Sequence, residues 1–380
     1  MRAEKDYDDF TLRDYNEKEL SGSLSPFTFL CLVILLMMIG LINAYSASYD
    51  TALKSGLSHY YYFVEVILFE AFALLAGIFL FFVPEKRCEK IYIFTSLLAF
   101  IFLFFNFFVS FTGKNIVFFS DVRSGDVIIF SSVLFVASVF PKIKNRDRRG
   151  WIYLLYFILS IALEFSLIYL GQSSYALLFV LISIASIFKS GIEKRYTVAF
   201  ALFSLSFFVF FIFILPSLDN MFFRLMPYSS LNEITERASN CISAITEGGI
   251  FGKGIGKGYY KLGIIENVHT DYIFSSFVEE MGLVGVSIFF IILLLFLYLG
   301  IRSSRRADMI SDEFASVIIY SFSFLIFLKA ALSALICANV IPLDGLSFPF
   351  LSTDGIEEFI LIIECAFLYK FIHLSGRGRL

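Results

Sequence analysis

His269, Thr270 and Asp271 stand together where a long polar stretch gives way to an apolar run, and Glu279 and Glu280 follow shortly after. An acid at such a border is costly, because its charge must stay hydrated or find a partner. A carboxylate there can accept a proton or bind a cation. It can also cap the next helix, since Asp suits an N-terminal position; both readings fit Asp271. His269 could assist it or be structural. With 3.6 residues per turn, position 279 lies about 80° from 271 and position 280 about 180°. Glu279 is therefore expected to share a cavity with Asp271, and Glu280 to pair elsewhere, with Lys329. The alternative is a buried network of both acids that fixes helix packing. Lys253, Lys257 and Lys261 recur every four residues, a pattern that could draw anionic headgroups or simply form a solvated charge run.

The surroundings of these residues are those of a membrane protein. Hydrophobic residues make up 58% of the 380 and aromatics 19%, with 50 Phe. Soluble domains hold about 45–50% apolar residues. Ten apolar runs long enough to cross a bilayer are expected, near 27–49, 62–83, 91–111, 126–141, 152–170, 174–189, 197–216, 272–300, 314–336 and 354–374. This predicts an all-α, polytopic membrane domain over 27–380, behind an acidic tail over 1–26. With the N-terminus in the cytoplasm, 21 of the 30 Lys and Arg fall in inside segments, so both termini are expected there. Residues 217–271 then form a large external loop. Within it, Ile234, Ala238, Ile242 and Ile245 suggest an amphipathic helix on the bilayer. The alternating Gly252, Gly254, Gly256 and Gly258 suggest either a flexible turn or backbone N–H groups free to approach a ligand closely.

No basic stripe suggests nucleic-acid binding. The five Cys show no CxxC spacing, which gives no support for a zinc or disulfide framework. No organic cofactor is implied.

The stretch from Gly248-Gly249-Ile250-Phe251-Gly252 through Lys261-Leu262-Gly263 to His269-Thr270-Asp271 and Glu279-Glu280-Met281-Gly282 resembles the signature of the SEDS family, which comprises FtsW, RodA and SpoVE. Tyr45-Ser46-Ala47-Ser48 resembles its first-span motif. Pro342 and Gly345-Leu346-Ser347-Phe348-Pro349-Phe350-Leu351-Ser352 resemble the motif before its last span. The resemblance implies a peptidoglycan glycosyltransferase that polymerises lipid II at the outer face of the cytoplasmic membrane. It also implies a growing glycan chain, a class B penicillin-binding transpeptidase and divisome membrane proteins as partners.

The essential aspartate of that family falls on Asp271, as a base or as a ligand of Mg²⁺ or Mn²⁺ that neutralises the leaving pyrophosphate. Lys253, Lys257 and Lys261 could attract that pyrophosphate; Ser352 and Asp126 join the cavity candidates. The Lys261-Leu262-Gly263 spacing and the acidic tail look closer to the division branch, at the septum, than to the elongation branch.

Departures are concentrated in the cavity. Ser124-Gly125-Asp126 stands where the family has Pro-Ser-Glu, and Ile129 where it has a Lys. Val66 and Ile67 take the place of an Arg-Gln pair, and Ser333 that of an Asn. Ser352-Thr353-Asp354-Gly355-Ile356-Glu357 replaces Ser-Tyr-Gly-Gly-Ser-Ser. Basic and polar residues are lost and acids added. A lipid II flippase, and a non-catalytic scaffold that recruits the transpeptidase, are the alternatives these departures leave open.

Overall fold

The computed structural model describes residues 26–84, 124–143, 150–214, 233–341 and 343–376. The described residues form ten helices: α1 Pro26–Lys54, α2 Tyr61–Phe82, α3 Ser124–Ile143, α4 Gly150–Tyr169, α5 Ser173–Lys189, α6 Lys194–Ile214, α7 Glu233–Gly248, α8 Ile273–Met309, α9 Glu313–Cys337 and α10 Gly355–Gly376. Eight are long and apolar enough to cross a membrane, and α5 is a shorter apolar helix. The chain is a multi-pass, all-helical membrane protein. The expected span over 91–111, the tail up to residue 25 and loop residues 217–232 lie outside the described residues, as do Cys88 and Pro342.

The helices sort by how much lipid they meet. Phe72, Leu75, Phe79 and Phe82 of α2, and Leu202, Val209 and Phe210 of α6, are exposed. A bilayer, not water, is the solvent these faces suit. α3 and α9 are buried on most sides, and α9 packs against α8, α5, α3 and α10. Both are rich in Ser, whose small side chains let backbones approach and whose hydroxyls bond within the lipid-free interior. Ser186 of α5 meets Ser321 of α9 at 2.8 Å, and Ser304 of α8 meets the Ser316 carbonyl at 2.9 Å. The fully buried Lys370 of α10 donates to the Leu80 and Val83 carbonyls at 3.2 and 2.8 Å. It thereby adds a second donor to the Leu80 carbonyl, which already accepts from the Val83 amide, and a donor to the Val83 carbonyl past the end of α2.

α8 runs furthest past its expected bounds. α8 continues to Met309, nine residues past the apolar run, because Ser303, Ser304 and Ala307 stay packed against α9. α7 exists as the apolar periodicity implied. Its inner face, Cys241, Ala244 and Gly248, packs on α8, while Ile242 faces outward. The helix thus rests on protein as well as on whatever lies outside it. Cys241 and Cys337 are both buried and free; burial pushes the Cys241 thiol up to about 11.

Candidate functional site

The site is built on a break in α8. Gly282 has φ 65° and ψ −176°, a region essentially confined to glycine. Opposite it lies Gly252, φ 74°. A Cβ on either residue would run into the backbone of the other segment. That closeness lets four main-chain bonds form between the loop and α8. Lys253 and Gly254 donate to the Glu279 and Glu280 carbonyls, both at 2.9 Å; Leu283 and Val284 donate to Gly249 and Ile250, both at 3.0 Å. Of the alternating glycines, Gly252 makes a close backbone approach, and it is to the chain's own helix rather than to a ligand.

Glu279 and Glu280 then fasten the rest of the loop. Glu279 is 0% exposed. It accepts from Lys253 Nζ at 2.8 Å and from the Tyr259 and Tyr260 amides at 2.7 and 3.1 Å. Glu280 is 3% exposed. It accepts from Ser46 of α1 at 2.8 Å and from Lys261 Nζ, which also donates to the Ser46 carbonyl at 3.0 Å. Outside this core, Glu247 accepts from Lys253 and from the Tyr260 hydroxyl. Those bonds hold the Glu247 carboxyl below its ordinary value and, together with Glu279, hold the Lys253 ammonium above its own.

This corrects two expectations. Glu279 serves the loop rather than sharing a cavity with Asp271, and Glu280 pairs with Lys261 rather than Lys329. The helical projection failed because Asp271 precedes α8, which starts at Ile273, so the two acids and Asp271 share no helix. The lysines share no face either, because 249–272 is a series of turns. Lys253 and Lys261 are committed to acids, and Lys257 alone of the three is exposed.

Asp271 sits in a tight turn in which the amides of Thr270, Asp271 and Tyr272 converge on the Asn267 carbonyl at 3.1, 3.1 and 3.4 Å. Asn267 takes φ 52° to allow it, a conformation Asn tolerates better than most residues. The segment 343–354 braces this turn. Gly345 lies against the Asp271 Cβ. The His269 carbonyl accepts from the Thr353 amide at 3.0 Å and hydroxyl at 2.7 Å, and its ring meets Tyr62 at 5.1 Å. Phe348 anchors the segment among Phe274, Phe289 and Phe290. Ser352 is buried, and its hydroxyl accepts from the Asp354 amide at 3.1 Å; it shapes the start of α10. Phe63, next to Tyr62, lines a cleft of about 700 Å³ between α1 and the loop, with Met38, Ile42, Tyr45, Ile255 and Lys261 among its walls.

Within the membrane core, Lys329 Nζ of α9 donates to Asp126 Oδ1 of α3 at 2.6 Å. Tyr175 of α5 donates to Glu357, and its hydroxyl lies 3.2 Å from that of Ser347. Ser333 donates to the Leu346 carbonyl at 2.6 Å. Sequence reasoning had Lys329 with the wrong acid and missed Tyr175, Glu358 and the partner role of Ser46. Only Ser46 carried a signal, as part of the first-span motif.

The chain matches, over residues 27–374, the family described as Cell cycle protein, FTSW_RODA_SPOVE. It belongs to that family. Relatives named probable peptidoglycan glycosyltransferase FtsW include one from Borreliella burgdorferi, 27% identical over 86% of this chain and 91% of its own length. Another, from Bacillus subtilis, is 26% identical over 87% and 86%. The fold is that of solved relatives. A chain from a peptidoglycan synthase complex superposes with a TM-score of 0.69 at 17% identity, covering 93% of this chain and 98% of that one. RodA of Thermus thermophilus gives 0.62 at 15%, covering 93% and 99%.

Proposed function

We propose that the chain is a peptidoglycan glycosyltransferase that polymerises lipid II at the outer face of the cytoplasmic membrane, with both termini inside. The supporting observation is the placement of Asp271. The turn on Asn267 and the 343–354 segment hold it from two sides, its side chain stays half-buried, and two residues before it the His269 ring meets Tyr62, the neighbour of the cleft-lining Phe63. In the reaction a sugar hydroxyl attacks the anomeric carbon of the lipid-linked donor. The bond from that carbon to the pyrophosphate oxygen breaks, a glycosidic bond forms, and the hydroxyl proton passes to Asp271. Lys257 is the loop lysine left to meet the pyrophosphate.

Asp271 could also hold a divalent cation, Mg²⁺ or Mn²⁺. Among the described residues no group of three or more His, Cys, Asp and Glu could hold one. A single carboxylate suits Mg²⁺ when substrate phosphates complete the shell. The cation would then neutralise charge on the leaving group.

A class B transpeptidase and other divisome membrane proteins are the partners this reading supplies, at the division septum. The lost cavity residues argue for a rebuilt cavity rather than a dead one: Ile129 is buried and apolar where the family has a Lys, but Lys329 brings an ammonium to Asp126 from another helix.

The test is lipid II polymerisation by the purified chain with its cognate transpeptidase, with and without Mg²⁺ or Mn²⁺. Wild type should form glycan polymer, and folded Asp271→Ala should lose at least about a hundredfold, the usual scale of a lost acid–base group. Wild-type inactivity in a verified complex would favour the scaffold; lipid II crossing the bilayer in vesicles without polymer would favour a flippase.

A further inference from the structure

A second charged cluster, joined through Ser347 to the segment that braces Asp271, takes part in none of the reaction steps above. Asp126 of α3, Lys329 of α9, Ser347, and Glu357, Glu358 and Glu364 of α10 line a cavity of about 10 Å³, room for about one water. Four carboxylates face one ammonium. That ammonium is spent on Asp126 Oδ1, and Glu357 takes the Tyr175 hydroxyl. Asp126 Oδ2 and Glu358 Oε2 have no hydrogen-bond partner, although their residues are only 7% and 2% exposed. The surrounding elements add acids rather than bases. Glu70 of α2, itself buried, and Asp354 lie close enough to Glu358 to act on its charge.

An uncompensated carboxylate in such an interior costs several kcal/mol, and adjacent carboxylates oppose one another's ionisation. Something must neutralise the surplus. The cavity has no room for a hydrated ion, and no group of three acidic or imidazole ligands suited to a metal exists among the described residues.

We propose that this cluster is a proton-binding site, in which the acids beyond the Asp126–Lys329 pair are held as neutral carboxylic acids. A proton neutralises a carboxylate without needing space, and it converts an orphan acceptor into a donor. One of the acids is particular to this chain, since Glu357 stands where the resembled pattern has Ser, while Asp126 stands where it has Glu. Losing the protons would set like charges side by side at the start of α10, the helix that follows the segment braced against Asp271.

Infrared spectroscopy of the full chain in lipid nanodiscs, at neutral pH in Na⁺-free buffer, tests this independently of polymerisation. Glu164 of α4, also buried with both oxygens unpartnered, would contribute its own band, so Glu164→Gln serves as the background. That background should keep a carbonyl-stretch band of protonated carboxyl groups that moves in D₂O. Adding Glu358→Gln or Glu364→Gln should remove a part of it. Absence of the band at neutral pH overturns the proposal with no further variant needed. A band unchanged in both folded variants also overturns it, because the protons then lie elsewhere. If millimolar Na⁺ erases the band, the resident ligand is a metal ion rather than a proton, and the proposal is equally lost.

Discussion

This chain holds two buried acid clusters, and they solve the cost of burial differently. At the break in α8 each acid has a lysine of its own: Glu279 takes Lys253 and Glu280 takes Lys261, and main-chain amides or Ser46 fill further lone pairs. Around Lys329, four acids share one lysine, and Asp126 Oδ2 and Glu358 Oε2 are left without a hydrogen bond. The first arrangement is closed, and charge there fixes geometry. The second is open, and its charge must change with what it binds. Burial alone therefore does not tell a structural acid from a titrating one; the count of partners does.

The same substitution made in both places should separate them most clearly. Glu280→Gln leaves the Lys261 ammonium, 5% exposed, without its counter-charge. Breaking a buried pair in this way costs about 3–5 kcal/mol. Unfolding measured in detergent or nanodiscs should show that loss, and Glu280→Gln with Lys261→Met should recover most of it. Were Glu280→Gln harmless by itself, the closed description of the α8 cluster would fail.

Glu358→Gln should do far less. If Glu358 is a neutral acid, an amide of the same shape replaces it at a cost of under about 1 kcal/mol, because no charge is lost and no new orphan charge is left. A loss as large as that of Glu280→Gln would mean that Glu358 is ionised and paired, and the contrast between the clusters would disappear.

How much of this could be read beforehand depended on whether a feature was local. The long apolar runs announced their helices, because a bilayer demands length and hydrophobicity in one continuous segment. Asp271 stood out by its motif and its place at the border, but the turn on Asn267 that holds it did not. The partners of Glu279, Glu280 and Asp126 were not legible, since Ser46 lies 234 residues from Glu280 and Lys329 lies 203 from Asp126. Gly282 looked like one glycine in a helical run, and nothing local disclosed that it faces Gly252. The helical projection from Asp271 failed for the same reason: a periodicity argument assumes one unbroken helix, and tertiary contacts decide where helices start and break.

The rim of the closed cluster gives the smallest effect, and it reads out in pH. Glu247 lies at the surface, and its bonds from Lys253 and then Tyr260 hold its carboxyl below 4.5. Its contribution is therefore present above that value and is lost as pH falls through the lower folded value. Lys253 is held above 10.5 by Glu247 and then Glu279. Its contribution is full below 10.5 and is lost as pH rises through the higher folded value. Between 4.5 and 10.5 neither group changes charge, so the loop should keep one mobility throughout. A spin label at an introduced Lys257→Cys, with the native cysteines replaced, reports on this, because residue 257 is exposed and follows the lysine in question. Its spectrum should stay constant across that window and loosen only beyond its ends. A transition near neutral pH would show that a group in the clamp titrates there, and the distinction between a closed cluster and a proton-binding one would no longer hold.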